Sequence, residues 1–297
     1  MNTRHALSLT ISNIGLIAKV FLYSTVLILI GVAVIVSVTD PILEALDADI
    51  DLADEIREDF NNFYTGNREA GEALTEGLKT FFSRNSAEIA RAVALYIVIF
   101  VLLRLGVSFA LVPAAYVLYN KMSSNFNSGF VNAMIAMAGK GALFALTYTV
   151  ITVPIDIVIF VGSYFLASWL FNAFEIIGLV ITIIVAIALY ALRMSVFGRW
   201  IPLTICENMK FADSCRAFFG DFRLSAVKEV YPSFLAMLVF VFGVVASTAL
   251  FTVGVVPIMI MPAAFVGYNC INLVAYFNET KRKYYIDERI VSPFIRT

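Results

Sequence analysis

Histidine is almost missing from this sequence: the only one is His5, in the first few residues. That removes histidine-based metal centres and serine–histidine catalysis from consideration. Cysteine is scarce as well. Cys206, Cys215 and Cys270 cannot all pair with one another and fit no zinc spacing. They read as small apolar fillers, kept reduced on the cytoplasmic side of a membrane. No G-x-x-x-x-G-K-S/T, G-x-S-x-G or H-E-x-x-H occurs, so phosphate-loop, nucleophile-elbow and zincin chemistries have no sequence to stand on.

Charge is the other shortage. Charged residues make up 14% of the chain and apolar ones 61%, with a mean hydropathy of +0.88. Soluble domains carry roughly 25% and 45–50% respectively. From Val230 to Asn278 there is no Asp, Glu, Lys, Arg or His. A helix rises about 1.5 Å per residue and a bilayer's hydrocarbon core is about 30 Å thick. That run is too long for one crossing and suits two. The stretch from Lys140 to Arg193, interrupted only by Asp156 and Glu175, suits two more. The expected fold is an all-α polytopic transmembrane helical bundle, six spans as three hairpins. The spans fall at 20–38, 92–118, 141–168, 176–197, 233–251 and 255–277, with Thr252-Val253-Gly254 as the last turn.

The few charges that remain are unevenly placed, and this sets direction. With residues 1–19 inside, the cytoplasmic segments hold fifteen Lys and Arg, from Arg4 and Lys19 through Arg193 and Arg199 to Arg296. Between Asp40 and Glu88, on the outer side, only Arg57, Arg68, Lys79 and Arg84 are basic. This positive-inside bias is expected to place both termini, including the tail 278–297, in the cytoplasm, with the spans in the cell membrane. Trp169 and Trp200 are expected at opposite interfaces. The first apolar run is longer than a signal peptide's core and no small-x-small site follows, so it is expected to stay as a span.

Outside, residues 39–91 form an acidic segment, with thirteen carboxylates against four basic residues between Asp40 and Glu88. Leu46, Ile50, Ala53, Ile56, Phe60 and Phe63 recur at helical spacing, then Leu74 and Leu78. Two amphipathic helices lying over the outer ends of the spans are predicted. Asp47, Asp49, Asp51 and Glu58 occupy positions one, three, five and twelve of an EF-hand loop. Position six is Leu52 where that loop needs glycine, and the same residues serve as a helix cap and a solvated acidic face.

One motif repeats. Pro113-Ala114-Ala115-Tyr116-Val117-Leu118-Tyr119-Asn120 recurs as Pro262-Ala263-Ala264-Phe265-Val266-Gly267-Tyr268-Asn269, and more loosely as Pro202 to Asn208. Each copy is expected at the cytoplasmic end of a descending span. There the proline frees a carbonyl that neighbours must satisfy, and the asparagine caps exposed backbone. Amphipathic stretches follow two copies, carrying Phe126, Phe130, Val131 and Met134, then Phe211, Cys215, Phe218, Phe219 and Phe222. Both are expected to lie in the membrane interface. The run P-x-x-I-x-E-N followed by F-A-D-S-C-R-A-F-F, at Pro202–Phe219, resembles poorly characterised bacterial six-span membrane proteins, such as the membrane domain attached to some glycerophosphodiester phosphodiesterases. The soluble phosphodiesterase domain, which would carry catalysis, has no counterpart in this chain. The resemblance implies a fold more than an activity.

Two charges fall deep inside the predicted spans, away from the cytoplasmic end where Arg193 lies. Arg104 lies sixteen residues before Asn120, and Asp156 sixteen after Lys140. The two therefore share a depth of about 24 Å from the cytoplasmic ends. Leaving either unpaired costs at least about 2.5 kcal/mol, so an Arg104–Asp156 contact is expected, either as a gate or as a structural ion pair. No basic, aromatic-interleaved surface suggests nucleic acid, and no residue pattern asks for a cofactor. Membrane lipids and other membrane subunits are the expected partners. The readings are a non-catalytic module that organises lipid or partner proteins, or a transporter or permease with a polar site at Arg104, Asp156, Thr152 and Asn269 or Asn272. A membrane enzyme would need clustered acid–base groups.

Overall fold

The computed structural model describes residues 2–48, 86–220, 222–251, 255–286 and 289–292, with scattered positions between 58 and 83. The described elements are α1 (Asn2–Ser12), α2 (Ile14–Ala48), α3 (Ser86–Ser124), α4 (Phe130–Ala136), α5 (Ala138–Gly198), α6 (Trp200–Cys206), α7 (Phe211–Gly220), α8 (Leu224–Phe251), α9 (Val255–Glu279), β1 (Tyr284–Ile286) and β2 (Arg289–Val291). Five of the helical stretches are long and apolar enough to cross a membrane. The protein is therefore an all-helical membrane bundle with one small addition: β1 and β2 pair antiparallel, Tyr284 opposite Val291. Hydropathy offered no sign of that hairpin.

The chain forms two compact units, Met1–Ser24 with Leu105–Thr297, and Thr25–Arg104. In the smaller unit, α2 and α3 run against each other. Thr39 Oγ1 and Tyr96 Oη share a hydrogen bond of 2.6 Å, and a Cβ on Gly31 would stand 2.9 Å from Leu103 Cδ1. Helix α2 continues through Asp40 and Pro41 to Ala48, ten residues past the apolar run that predicted it. The acidic segment thus begins as part of the helix. Asp47 sits in that last turn and Glu58 is helical and exposed, whereas Asp49, Asp51 and the turn 252–254 lie outside the described residues.

In the larger unit, α5 is too long to be one rod: its 61 residues would reach about 90 Å. The helix breaks at Glu175, whose φ of 50° and ψ of −128° are not helical. Past the break the chain doubles back so tightly that any side chain on Gly178 would collide with the Leu170 carbonyl. Tyr148 then meets Phe197, and Phe144 meets Trp200. Helices α8 and α9 also run in opposite senses, with Phe234 against Tyr268. Proline falls inside all five long helices, at Pro41, Pro113, Pro154, Pro232 and Pro262 among others, as helices packed among neighbours in a membrane tolerate.

Packing in the larger unit is lopsided. The buried core collects at one end: Leu9, Ala114, Leu118, Phe144, Trp200, Ile201, Phe234, Leu273 and Phe277. Helix α9 is its pillar, in contact with α1, α5, α6 and α8. Along the rest of α5 and α8, large apolar side chains such as Ile157, Phe160, Phe165, Ile184 and Phe240 are exposed. A soluble monomer rarely bares contiguous apolar patches beyond about 300–600 Å², so these faces belong in lipid.

Two sequence expectations are corrected here. Trp200 is not an interfacial ring: it is fully buried, parallel to Phe218 at 5.2 Å and edge-on to Phe144. Correspondingly, α7 turns Ser214 and Phe218 into the core and leaves Phe219 exposed, so its apolar face is partly spent on the protein's own chain. Helix α4 divides in the same way, with Phe130 and Ala133 inside and Val131 and Ile135 out.

Candidate functional site

The polar residues of the packed end form three groups, each built around one carboxylate. The first lies within α5. Tyr148, Thr152 and Asp156 recur every four residues and share a face of the first arm. Arg193 on the returning arm donates from Nη2 to Asp156 Oδ2 at 2.9 Å, and its guanidinium lies 5.4 Å from the centre of the Tyr148 ring. The side chains are only 10% and 22% exposed. Arg193, expected in a cytoplasmic loop, is instead a buried partner of an acid inside the apolar stretch. A signal for this was present: Glu175, at the break, lies nineteen residues after Asp156 and eighteen before Arg193. Arg104 and Asp156 fall in different units, and the contact between them remains an expectation drawn from depth.

Around this pair the packing is tight. Gly198 meets Asn272 so closely that a Cβ would collide with Asn272 Oδ1. Thr152, Asn269 and Asn272 are all buried. Asn269 Nδ2 turns back to the Phe265 carbonyl at 3.3 Å. The residues named as lining for a transport pathway are thus core residues, wedged between α5 and α9.

The second group joins the end of α6 to the stretch after α9. Glu207 Oε1 accepts from Arg282 Nη2 at 2.7 Å and from Tyr276 Oη at 2.5 Å. Arg282 Nη1 also reaches the Cys206 carbonyl at 3.4 Å. The third centres on Glu279, which takes Arg199 at 2.9 Å and Arg223 at 3.4 Å. Both groups clamp loops onto the foot of α9. None of these acids could be assigned a partner from sequence spacing, because each bond spans more than fifty residues.

The three repeat copies share burial more than they share a span end. Pro113, Pro202 and Pro262 are all buried within helices. Asn120 donates to Ser128 Oγ at 3.2 Å, and Asn208, at a φ of 47°, accepts from Lys140 Nζ at 2.9 Å. Asn269 lies inside α9, which runs on to Glu279. Only the third copy ends its helix as expected. In the first copy Ala114 and Ala115 are fully covered. The equivalent Ala263 and Ala264 are half-exposed. There they floor an apolar groove of about 340 Å³, walled by Leu7 of α1 and by Ala236 and Phe240 of α8.

Chemically these arrangements are ion pairs that tie separate parts of the chain together. Each of the three carboxylates faces at least one guanidinium. Burial pushes the Cys215 thiol up, away from the thiolate a nucleophile needs. Among the described residues no group of His, Cys, Asp or Glu could hold a metal ion. No protein-family model, curated protein or solved structure matches this chain.

Proposed function

We propose that this protein is a multi-pass membrane module that organises lipid and has no catalytic chemistry of its own. Its six spans form three hairpins, α2 with α3, the two arms of α5, and α8 with α9. Both termini and the densely packed end face the cytoplasm. The likeness of Pro202–Phe219 to poorly characterised bacterial six-span membrane proteins, such as the membrane domain attached to some glycerophosphodiester phosphodiesterases, suits this reading.

The observation that carries the reading is the groove between α1, α8 and α9. Its volume of about 340 Å³ falls at the small end of ligand pockets, about 300–1,000 Å³. Its wall is almost wholly apolar, and it lies beside helix faces that only lipid can solvate. An acyl chain is the occupant such a surface suits, since a polar solute would lose its hydration there without regaining hydrogen bonds. The permease reading has less behind it. Its proposed lining residues are packed against each other, and Asp156 is engaged by Arg193.

Purification in a mild detergent, followed by lipid quantification, tests the proposal. The wild type is expected to retain lipid, and Ala263→Phe, which fills the groove floor, to retain less while staying folded. Solute flux in proteoliposomes that is lost on replacing Asp156 or Arg193 would instead favour the permease.

A further inference from the structure

A second cavity lies at the packed end, away from the groove. Where α2 starts, α3 ends and the loop into α4 passes, they enclose about 270 Å³ lined chiefly by Ser12, Asn13, Lys19, Lys121, Asn127 and Ser128. The stretches that build it are unusual in one respect. Residues 1–39 and 105–139 contain no Asp or Glu at all. The other polar groups of this end cancel their cations internally, Arg193 on Asp156, Arg282 on Glu207, Arg199 and Arg223 on Glu279. Here two lysines line one cavity, and no ion pair is made by either among the described residues.

Lys121 is held in place without being neutralised. Its ammonium donates to the Ser12 carbonyl at 3.3 Å and to Asn13 Oδ1 at 3.1 Å, both uncharged acceptors. One of its three N–H groups remains for a ligand. Asn13 is itself fixed, its Nδ2 donating to the Leu9 carbonyl at 2.6 Å. This bond and the back-bonding of Thr10 and Ser12 interrupt the helix between α1 and α2. The first turn of α2 lines the cavity through Gly15 and Leu16. Around the mouth, Ile14, Leu22 and Phe126 are exposed apolar side chains, with Leu22 one turn beyond Lys19 on the same face of α2.

We propose that this cavity binds a phosphate group, and that the phosphate belongs to the headgroup of an anionic phospholipid. The inference rests on the lipid-organising reading above and names the lipid class and the point of contact. Two ammonium groups answer one phosphodiester charge, the Asn127 and Ser128 side chains answer headgroup hydroxyls, and the apolar rim continues into acyl chains. A choline headgroup brings its own cation against the two lysines and is disfavoured.

The test adds lipid from outside to the full chain in detergent and counts adducts by native mass spectrometry. With phosphatidylglycerol, wild type is expected to bind about thirtyfold more tightly than with phosphatidylcholine, which is about 2 kcal/mol for the two lysines together. The doubly substituted K19Q/K121Q protein loses that preference, and K140Q, altered at a lysine outside the cavity, keeps it. If the double variant fails to fold, K19Q alone, at an exposed position, is expected to lose part of the preference. Unchanged preference in K19Q and in K19Q/K121Q overturns the site. Displacement of phosphatidylglycerol by millimolar inorganic phosphate overturns the lipid as its source and points to a soluble phosphate compound. Because the lipid is supplied, the result reads this cavity even if no lipid copurifies, so failure here and failure of the general reading look different.

Discussion

At the scale of single residues, the closest approaches in the molecule make the sharpest predictions. Gly198 is needed where α5 crosses α9, because a methyl group there meets Asn272 Oδ1 and the asparagine is itself buried. Gly198→Ala is expected to destabilise by about 1–3 kcal/mol, the usual cost of overpacking. Adding Asn272→Ser recovers part of that loss, which a double-mutant cycle in detergent unfolding measures. His5 gives a pH dependence. Its ring bonds to Tyr284 Oη at 2.7 Å, and burial first, then the positive charges of the chain's amino group and Arg4, hold its pKa below the ordinary 6.5. The folded state therefore favours the neutral ring, while the unfolded chain takes up a proton near the ordinary value. The stabilising contribution is present above about pH 6.5 and is lost as the pH falls below it. The unfolding midpoint is expected to drop on acidification through this window, and His5→Asn to flatten the drop.

At the scale of elements, the packed end is held by aromatic rings from three helices: Tyr148 and Phe144 of α5, Trp200 of α6 and Phe218 of α7, neighbouring centroids each 5.2 Å apart. Trp200→Ala removes the centre of this stack and is expected to cost about 3–5 kcal/mol, with α7 released first. Faster proteolysis between Asn208 and Arg223 than in the wild type would report it, and an unchanged cleavage rate would mean that α7 is held by the bilayer instead. The long helices were legible in advance because each is a run of apolar residues bounded by charge. The break in α5 was legible too, as the interval between two expected spans. Helix α1 was not: its residues 2–12 are polar enough to read as a tail, and only the apolar side of α9 makes Ala6 and Leu9 core residues. The strands after α9 escaped for the same reason, being three residues each and held by Tyr284 packing on Phe277.

For the whole molecule, the uneven packing predicts how the bundle meets its membrane. Under the proposed topology its dense end, with most of the cations, faces the cytoplasm and the exposed apolar arms lie in the acyl region. Labelling whole cells with a membrane-impermeant maleimide checks this in a variant whose three native cysteines are replaced by alanine. A cysteine at Ser83 is expected to react in intact cells and one at Arg216 only after lysis. The reverse pattern would invert the topology and with it the placement of the phosphate cavity in the inner leaflet.

Membrane character and the places of the long apolar helices follow from the sequence, because hydropathy and charge are local sums along the chain. Which charges meet is not local. Asp156 was matched by depth to Arg104, yet its described partner is Arg193, brought to it by a reversal whose geometry hangs on Glu175 and Gly178. Glu207 finds Arg282, and Glu279 gathers Arg199 and Arg223, only once α6, α8 and α9 have packed. Ala114 and Ala263 occupy the same place in a repeated motif, and the fold buries one while leaving the other to floor a groove. Close packing decides such matters, since it depends on which surfaces remain once every other helix has found its neighbour.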